Sequence, residues 1–291
     1  MRLPLLVYRS CITALRSFSN GASKRTPLYD FHISHKAKMI DFCNFLMPLH
    51  YSDQSIIDSH QFVRQHCGLF DVSHMLQAIS GKDRVSFLES LTCADIEGLP
   101  ISSGTLSVFL LSSGGILDDT IILKCKEPYL YVVSNAKMMT KDVNDGKEIN
   151  IKVLNHSLLA LQGPDAYSVI RAGISSTSIR NFENLFFMES MLIDSFYGLN
   201  TPDGDIRLTR CGYTGEDGYE ISIPPEIAIP IAEVLVKNPS VKPIGLAARD
   251  TLRLEAGLCL YGSDISEETT PVEASLSWLI CKFKIIDIPN I

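Results

Sequence analysis

The sequence lacks several signatures that would each have indicated a particular class of protein. No apolar run is long enough to cross a bilayer, so no transmembrane helix is predicted. The eight cysteines include no CxxC pair and the seven histidines form no HExxH, which disfavours the common metal sites. No GxGxxG opens a helix after the first strand, so a dinucleotide-binding fold is unsupported. Scattered cysteines of this kind are typical of reduced, mostly buried thiols.

Acidic side chains are absent before Asp30, whereas the same stretch is basic and rich in serine. Its basic residues are Arg2, Arg9, Arg16, Lys24 and Arg25. Three of the arginines are seven residues apart, so a helix would align them beside an apolar stripe. This pattern predicts a mitochondrial transit peptide over residues 1–24 and a location in the mitochondrial matrix. A disordered basic arm is the alternative, and the interrupting arginines disfavour a secretory signal.

Positive charge is scarce in the rest of the chain. The formal net charge is -7, and it becomes -12 without those five basic residues. An acidic body disfavours nucleic-acid binding, because phosphate contacts need a basic surface. With 46% hydrophobic and 20% charged residues, the 291-residue chain has the composition of a folded protein with one large or two ordinary domains.

Helices and strands alternate without an obvious repeat. Helical spacing predicts helices in 58–68, 82–96 and the stretch "GLAARDTLRLEAG", the last broken at Gly257. Strand patterns surround a hairpin signal at 112–115 and continue through much of the chain. This mixture predicts an α+β fold with mixed or antiparallel sheets.

The stretch "RCGYTGEDGYEI" combines glycines with three acids. Residues 215–218, Gly-Glu-Asp-Gly, predict a hairpin connection, which would leave Glu216 and Asp217 as turn residues at its tip. Alternation along the following strand places Glu220 and Ser222 on the face opposite the apolar residues. There Glu220 would accept two hydrogen bonds from a planar, amidine-like ligand edge, or else lie on a solvated sheet face.

Two further stretches hold candidate polar residues. In "GGILDD", Asp118 and Asp119 are adjacent, so on a strand they point to opposite faces and cannot form an acid–base pair. A single Asp at this hairpin is either structural or functional. On the predicted helix, Arg249 and Arg253 share a face, where one would bind an anionic group unless both pair with neighbouring acids.

Together these stretches resemble the aminomethyltransferase family, the T-proteins of the glycine cleavage system. The resemblance runs from about Thr26 to Trp278. It is carried by "TPLYDFH", "FDVSHM", "GGILDD", "YVVSNA", "LALQGP", "TRCGYTGEDGYEIS", "GLAARDTLRLEAGLCLYG" and "TTPVEASLSW". Related iron–sulfur assembly proteins carry a different cysteine signature, of the type "KGCYxGQE".

The resemblance implies a reaction and its site residues. The one-carbon unit of aminomethyl-dihydrolipoyl H-protein passes to tetrahydrofolate, the acceptor substrate, with release of ammonia and without a metal. The partners implied are H-protein and the other glycine cleavage proteins, with no nucleic acid or membrane. By match to the family, Glu220 and Arg249 contact folate, and Asp119 is the catalytic residue that orients folate nitrogens and stabilises developing positive charge.

The resemblance also implies a domain organisation. Residues 25–278 correspond to the folate-binding region of two interleaved α+β subdomains, whereas the tail 279–291 is unlike the family. We therefore expect the family's C-terminal β-barrel domain to be missing. The alternative to an active enzyme is a truncated, non-catalytic folate- or partner-binding protein, including the iron–sulfur assembly type.

Overall fold

A computed structural model describes residues 23–134, 148–201 and 206–281. Most of the predicted transit peptide and most of the tail 279–291 lie outside these described residues. The chain divides into two compact units. The first unit comprises residues up to 74, 155–187 and 191–258, and the second comprises 75–154, 188–190 and the residues from 259 onward.

Short helices and strands follow one another along the described chain. The helices are α1 (Tyr29–Ser34), α2 (Ile56–Gln65), α3 (Arg84–Leu91), α4 (Ala166–Gly173), α5 (Ile179–Glu183), α6 (Pro225–Val236) and α7 (Leu246–Glu255). The strands are β1 (Lys24–Arg25), β2 (Ala37–Phe42), β3 (Phe45–Tyr51), β4 (Cys67–Asp71), β5 (Leu76–Ser80), β6 (Gly104–Leu110), β7 (Ile116–Lys124), β8 (Tyr129–Ser134), β9 (Asn150–Val153), β10 (Ser157–Gln162), β11 (Ser190–Ile193), β12 (Ser195–Phe196), β13 (Leu199–Asn200), β14 (Ile206–Thr209), β15 (Gly218–Ile223) and β16 (Val241–Pro243).

A six-stranded sheet forms the centre of the first unit. Its strand order is β11-β14-β15-β10-β4-β16, and β15, β10 and β4 are antiparallel neighbours while β16 joins β4 in parallel. Tyr219, Ile221 and Ile223 alternate along β15 and are fully buried in the main apolar core. Each such side chain contributes roughly 1.5–3 kcal/mol by leaving water. A smaller sheet of β1, β3 and β2 belongs to the same unit.

Local signals set the helix ends. Ser55 and Asp58 form a reciprocal capping box at the start of α2, and this helix ends at Gln65, three residues before the predicted end. It stops there because the buried strand β4 begins at Cys67. Helix α7 ends as predicted, since Gly257 has a φ of +70° that favours glycine.

The second unit contains a five-stranded antiparallel sheet in the order β6-β7-β8-β5-β9. The predicted hairpin between β6 and β7 is confirmed, and Gly114 supplies the positive φ of +88° in its turn. The predicted helix of 82–96 is present but covers only the eight residues of α3. Phe87 and Leu88 of α3 are buried in this unit's own core.

These sheets and helices confirm the predicted α+β class with mixed and antiparallel pairing. In the described part of the chain, no helix is both long and apolar enough to span a bilayer.

Candidate functional site

Glu220 lies in the middle of β15, on the face of the central sheet opposite the apolar core. It is paired with Ala160 of β10 on one side and with Thr209 of β14 on the other. The predicted alternation is therefore confirmed. The alternative of a solvated sheet face is wrong, because only 8% of Glu220 is exposed. The strand pattern alone did not predict this burial.

The surroundings of Glu220 are unusual for a buried carboxylate. Burial raises the pKa of Glu220, while the charge of Arg249 and a hydrogen bond with Cys211 oppose that rise. The thiol of Cys211 thus donates to Glu220, and the charge of Arg249 acts on the same carboxylate. A carboxylate has about four acceptor positions, so its two oxygens suit a ligand edge with two parallel donors.

Arg249 of α7 is near enough to Glu220 for its charge to act against the raised pKa of that carboxylate. Its guanidinium carbon is 4.5 Å from the centroid of the Tyr213 ring, within the range of a cation–π contact. Arg253 behaves differently, because its Nε donates to Asp250 at 2.8 Å and it is buried. The prediction of intrahelical pairing is thus confirmed for Arg253.

His74 is a buried side chain under the influence of the same arginine. Burial lowers the pKa of His74 to about 4, with Arg249 acting in the same direction and Asp71 opposing it. Its ring packs edge-on against Phe42, at 5.5 Å between centroids. The imidazole is therefore neutral at neutral pH, and its buried Nδ1 has no hydrogen-bond partner among the described residues.

The connection between β14 and β15 differs from the predicted four-residue turn, since it spans 210–217. Glu216 and Asp217 lie in this turn as predicted, and both are ion-paired. Glu216 accepts from Arg64 at 2.8 Å, while Asp217 accepts two hydrogen bonds from Arg210, at 3.0 and 2.6 Å. The connection is longer than predicted because its first part, 211–214, is hydrogen-bonded to Gln162.

Asp119 lies on β7 of the second unit. As predicted, it and Asp118 point to opposite faces: Asp118 is fully buried, whereas Asp119 is half-buried. Their strand pairs with β6, where Val108 faces Asp119 and Phe109 faces Asp118. The structure thus brings Glu220 and Arg249 together in one unit, and Asp119 belongs to the other.

A second buried carboxylate, Asp71, ends β4. Its Oδ2 accepts from Thr26 Oγ1 at 2.7 Å and lies 2.9 Å from His32 Nε2. Its Oδ1 accepts from the backbone N–H and the hydroxyl of Ser73. Burial acts to raise the pKa of Asp71, but these hydrogen bonds and the charge of His32 bring it below its ordinary value.

The adjacent residues His66 and Cys67 have local roles. His66 Nδ1 lies 3.1 Å from Asp165, and burial raises the pKa of Cys67 to about 12. All described cysteines are free thiols, of which four are buried and three partly exposed. No group of metal ligands is formed among the residues described.

Several residues around Glu220 were not found from the sequence. Gln162 hydrogen-bonds to Cys211, which hydrogen-bonds to Glu220, and Tyr213 contacts Arg249. Neither Gln162, Cys211 nor Tyr213 follows a recognisable spacing rule. The one available signal was the glycine content of "RCGYTGEDGYEI". Gly212 and Gly218 do not have positive φ angles, so something other than turn geometry requires glycine there.

Comparison with known proteins gives consistent matches. The model of the GCVT N-terminal domain family matches residues 28–284. The mitochondrial aminomethyltransferase of Homo sapiens is 51% identical over 271 residues, covering 89% of this chain and 65% of the relative. That of Saccharomyces cerevisiae is 44% identical over 277 residues, covering 90% and 68%.

A solved structure agrees with these sequence matches. The glycine cleavage system aminomethyltransferase T from Bartonella henselae superposes with a TM-score of 0.78 at 38% identity. The alignment covers 89% of this chain and 70% of that one. This chain spans 65% of the length of the first curated relatives that it matches.

Proposed function

This chain belongs to the aminomethyltransferase family, the T-proteins of the glycine cleavage system, and we propose that it transfers a one-carbon unit to tetrahydrofolate. The donor is the aminomethyl group held on the dihydrolipoyl arm of H-protein. The observation that carries the proposal within this molecule is Glu220, a buried carboxylate with a raised pKa on which the charge of Arg249 acts.

In the proposed reaction, two bonds of the transferred carbon break and two new bonds to it form. The carbon–sulfur and carbon–amine bonds break, and bonds to N5 and N10 of tetrahydrofolate form. The two protons released by those nitrogens go to the sulfur and to the departing amine, which gives dihydrolipoyl H-protein, ammonia and 5,10-methylenetetrahydrofolate. No oxidant or metal is required.

Glu220 is proposed to bind the pterin ring. A ring N–H and the adjacent amino group form two parallel donors, which match the two oxygens of a carboxylate. The rigid position of Glu220 in the middle of a buried strand would fix the plane of the ring. Tight positioning matters because the folate nitrogens must meet the incoming carbon in a defined geometry.

Arg249 is proposed to balance the charge of this pocket. A buried, ionised carboxylate is costly unless a cation is near, and Arg249 already acts against the raised pKa of Glu220. The Tyr213 ring limits the freedom of the guanidinium, so that its charge stays on the Glu220 side.

Asp119 is proposed as the catalytic carboxylate. It would orient the folate nitrogens and stabilise the positive charge that develops as ammonia leaves and an iminium forms. Its half-buried position on β7 leaves part of the side chain accessible to a substrate. Full proton abstraction is not required of it, since an ordinary Asp is a weak base.

The proposed partner is H-protein, with its aminomethyl-lipoyl arm, within the glycine cleavage system of the mitochondrial matrix. The names of the relatives from Homo sapiens and Saccharomyces cerevisiae include "mitochondrial", and the basic, acid-free N-terminus agrees with that location.

Iron–sulfur assembly is less well supported as a second function. That chemistry needs a thiol that is exposed and easily ionised. Cys211 is buried, and its surroundings raise its pKa well above the ordinary value, which keeps the thiol protonated.

The experiment is an assay of tetrahydrofolate-dependent ammonia release from aminomethylated H-protein. We expect release by the wild-type chain, a drop of about a hundredfold or more in Asp119→Asn, and little change in the exposed turn variant Asp217→Asn. Folded protein that binds tetrahydrofolate but releases no ammonia would instead support a non-catalytic folate-binding protein.

A further inference from the structure

Gln162 is a buried amide at the end of β10, with 1% of its surface exposed. Its Nε2 donates to the backbone carbonyls of Leu161, at 3.2 Å, and of Cys211, at 3.0 Å. Its Oε1 accepts from the hydroxyl of Thr214 at 3.0 Å. Both ends of the amide are therefore committed, and two of the three bonds hold the segment 211–214.

The backbone of the neighbouring connection fits closely around this side chain. A Cβ atom added to Gly212 would lie 1.8 Å from Oε1 of Gln162, and one added to Gly218 would lie 2.3 Å from its Nε2. Both distances are shorter than a Cβ contact allows, so a side chain at either position would have to displace the amide of Gln162. At Gly218 the added Cβ would also lie 2.5 Å from the carbonyl oxygen of Leu161. The two glycines are thus explained by close approach to Gln162, and not by the angles of a turn.

The segment that Gln162 holds also reaches the two proposed folate-binding side chains. Cys211 hydrogen-bonds to Glu220, and the ring of Tyr213 lies against the guanidinium of Arg249. A shift of this segment would therefore disturb both contacts together.

We propose that Gln162 is a positioning residue, which fixes segment 211–214 so that Cys211 orients Glu220 and Tyr213 orients Arg249. The expected effect on folate binding rests on the proposed function, whereas the effect on Glu220 can be tested without any ligand. Gln162 acts through other residues and is not assigned a contact with the substrate.

The proposal has a directional consequence for Glu220. Two groups that act on its charge are Arg249, from α7, and Cys211, from the connection. The buried Arg207 of β14 lies on the same sheet face, opposite Ser222, and is unchanged by the variants below. Arg249 and Cys211 both lower the pKa of Glu220 against the effect of burial. If the segment is released, the Cys211 bond is lost and the Arg249 contact loosens, so the pKa of Glu220 rises and the carboxylate is protonated at a higher pH.

The test compares Gln162→Met, which has a similar length but no amide, with the matched control Gln54→Met. Gln54 also donates its amide to a backbone carbonyl of the first unit, that of Pro243 at 2.7 Å, and this bond does not involve segment 211–214. The pKa of Glu220 is read by NMR from protein labelled with [13C]glutamate, with the signal assigned by its absence in Glu220→Gln.

We expect a raised pKa of Glu220 in Gln162→Met and no change in Gln54→Met. Anaerobic titration with tetrahydrofolate should show at least about a tenfold loss of affinity in Gln162→Met alone. An unchanged pKa in folded Gln162→Met would overturn the proposal. If the wild type itself does not bind tetrahydrofolate, the proposed function fails, while the pKa comparison still decides the role of Gln162.

A second pair of variants covers the case in which Gln162→Met does not fold. Cys211→Ala removes the donor to Glu220, whereas Cys211→Ser keeps a hydroxyl in its place. We expect a raised pKa of Glu220 in Cys211→Ala and a value restored toward wild type in Cys211→Ser. An identical pKa in the two variants would contradict the proposal.

Discussion

Two buried carboxylates project from opposite faces of the same sheet and have opposite properties. Asp71 at the end of β4 is 6% exposed, and Glu220 in β15 is 8% exposed. Asp71 is hydrogen-bonded to His32, Thr26 and Ser73, and its pKa is lowered. Burial raises the pKa of Glu220, and the charge of Arg249 and the hydrogen bond with Cys211 oppose this rise without cancelling it.

The difference shows that burial alone does not decide what a carboxylate does. Protein donors satisfy Asp71, so that it connects α1, β4 and the segment after it. Glu220 keeps a raised pKa despite Cys211 and Arg249, as expected for a buried carboxylate that binds a ligand. Local sequence does not distinguish the two, because both acids follow apolar strand residues.

Glu220→Gln should have the largest effect on folate binding. The amide offers one acceptor and presents an NH₂ group to the ligand's donors, so two charge-assisted hydrogen bonds are lost. We expect tetrahydrofolate affinity to fall by about a thousandfold. Calorimetric titration measures this loss. A variant that binds as tightly as wild type would remove Glu220 from the site.

Asp71→Asn should have the largest effect on stability. Asparagine cannot accept all the hydrogen bonds that Thr26, His32 and Ser73 make to the buried carboxylate, and donors left unsatisfied there should cost about 3 kcal/mol. Urea unfolding measures the loss. Folate affinity per folded molecule should change little, and a normal stability would show that the His32 contact contributes nothing.

The two carboxylates should also give opposite pH dependence of stability. The folded pKa of Asp71 lies below its unfolded value of about 3.9, so its stabilisation is present above that pH and disappears as the pH falls through the folded pKa. Asp71→Asn should therefore lose stability less steeply in acid than wild type.

For Glu220 the sign is reversed. Its folded pKa is raised, so the unfolded state ionises first and folding free energy is lost as the pH rises above the unfolded value of about 4.3, with the full cost present above the folded pKa. Glu220→Gln should unfold at the same or a higher urea concentration than wild type at pH 7, and the difference should vanish in acid. Lower stability of Glu220→Gln at pH 7 would contradict this sign.

Arg249→Lys and Arg253→Lys extend the comparison to the helix that carries both residues. Lysine at 249 keeps the charge but loses the planar contact with Tyr213, and we expect about a tenfold loss of folate affinity. Lysine at 253 weakens the bond to Asp250 and should cost about 1 kcal/mol of unfolding free energy. Folate titration and urea unfolding of both variants measure these effects. A loss of folate affinity in Arg253→Lys but not in Arg249→Lys would contradict the prediction.

The smallest effects should come from the conspicuous acids of the turn. Glu216→Gln breaks the pair with Arg64, and Asp217→Asn weakens the pair with Arg210. Both pairs are partly solvated, so each change should cost less than about 1 kcal/mol. Thermal unfolding measures this loss of stability. A large loss of folate affinity in either variant would instead show that the turn acids bind the ligand.

Local pattern predicted the parts of this fold that depend on neighbouring residues. The alternation that separates Glu220 from Ile221, the hairpin at Gly114 and the helix break at Gly257 were all predicted correctly. Contacts between remote segments were not predictable. Gln162 lies 49 residues from Cys211, so neither the true length of the connection nor the burial of Glu220 followed from the sequence.

The pKa of Glu220 with and without tetrahydrofolate tests the central claim most directly. Labelled Glu220 is titrated by NMR in the free protein and again at saturating tetrahydrofolate under anaerobic conditions. We predict a pKa above the ordinary glutamate value in the free protein and a lower value in the complex, because ligand donors stabilise the charged form. A pKa that does not respond to bound tetrahydrofolate would contradict this claim.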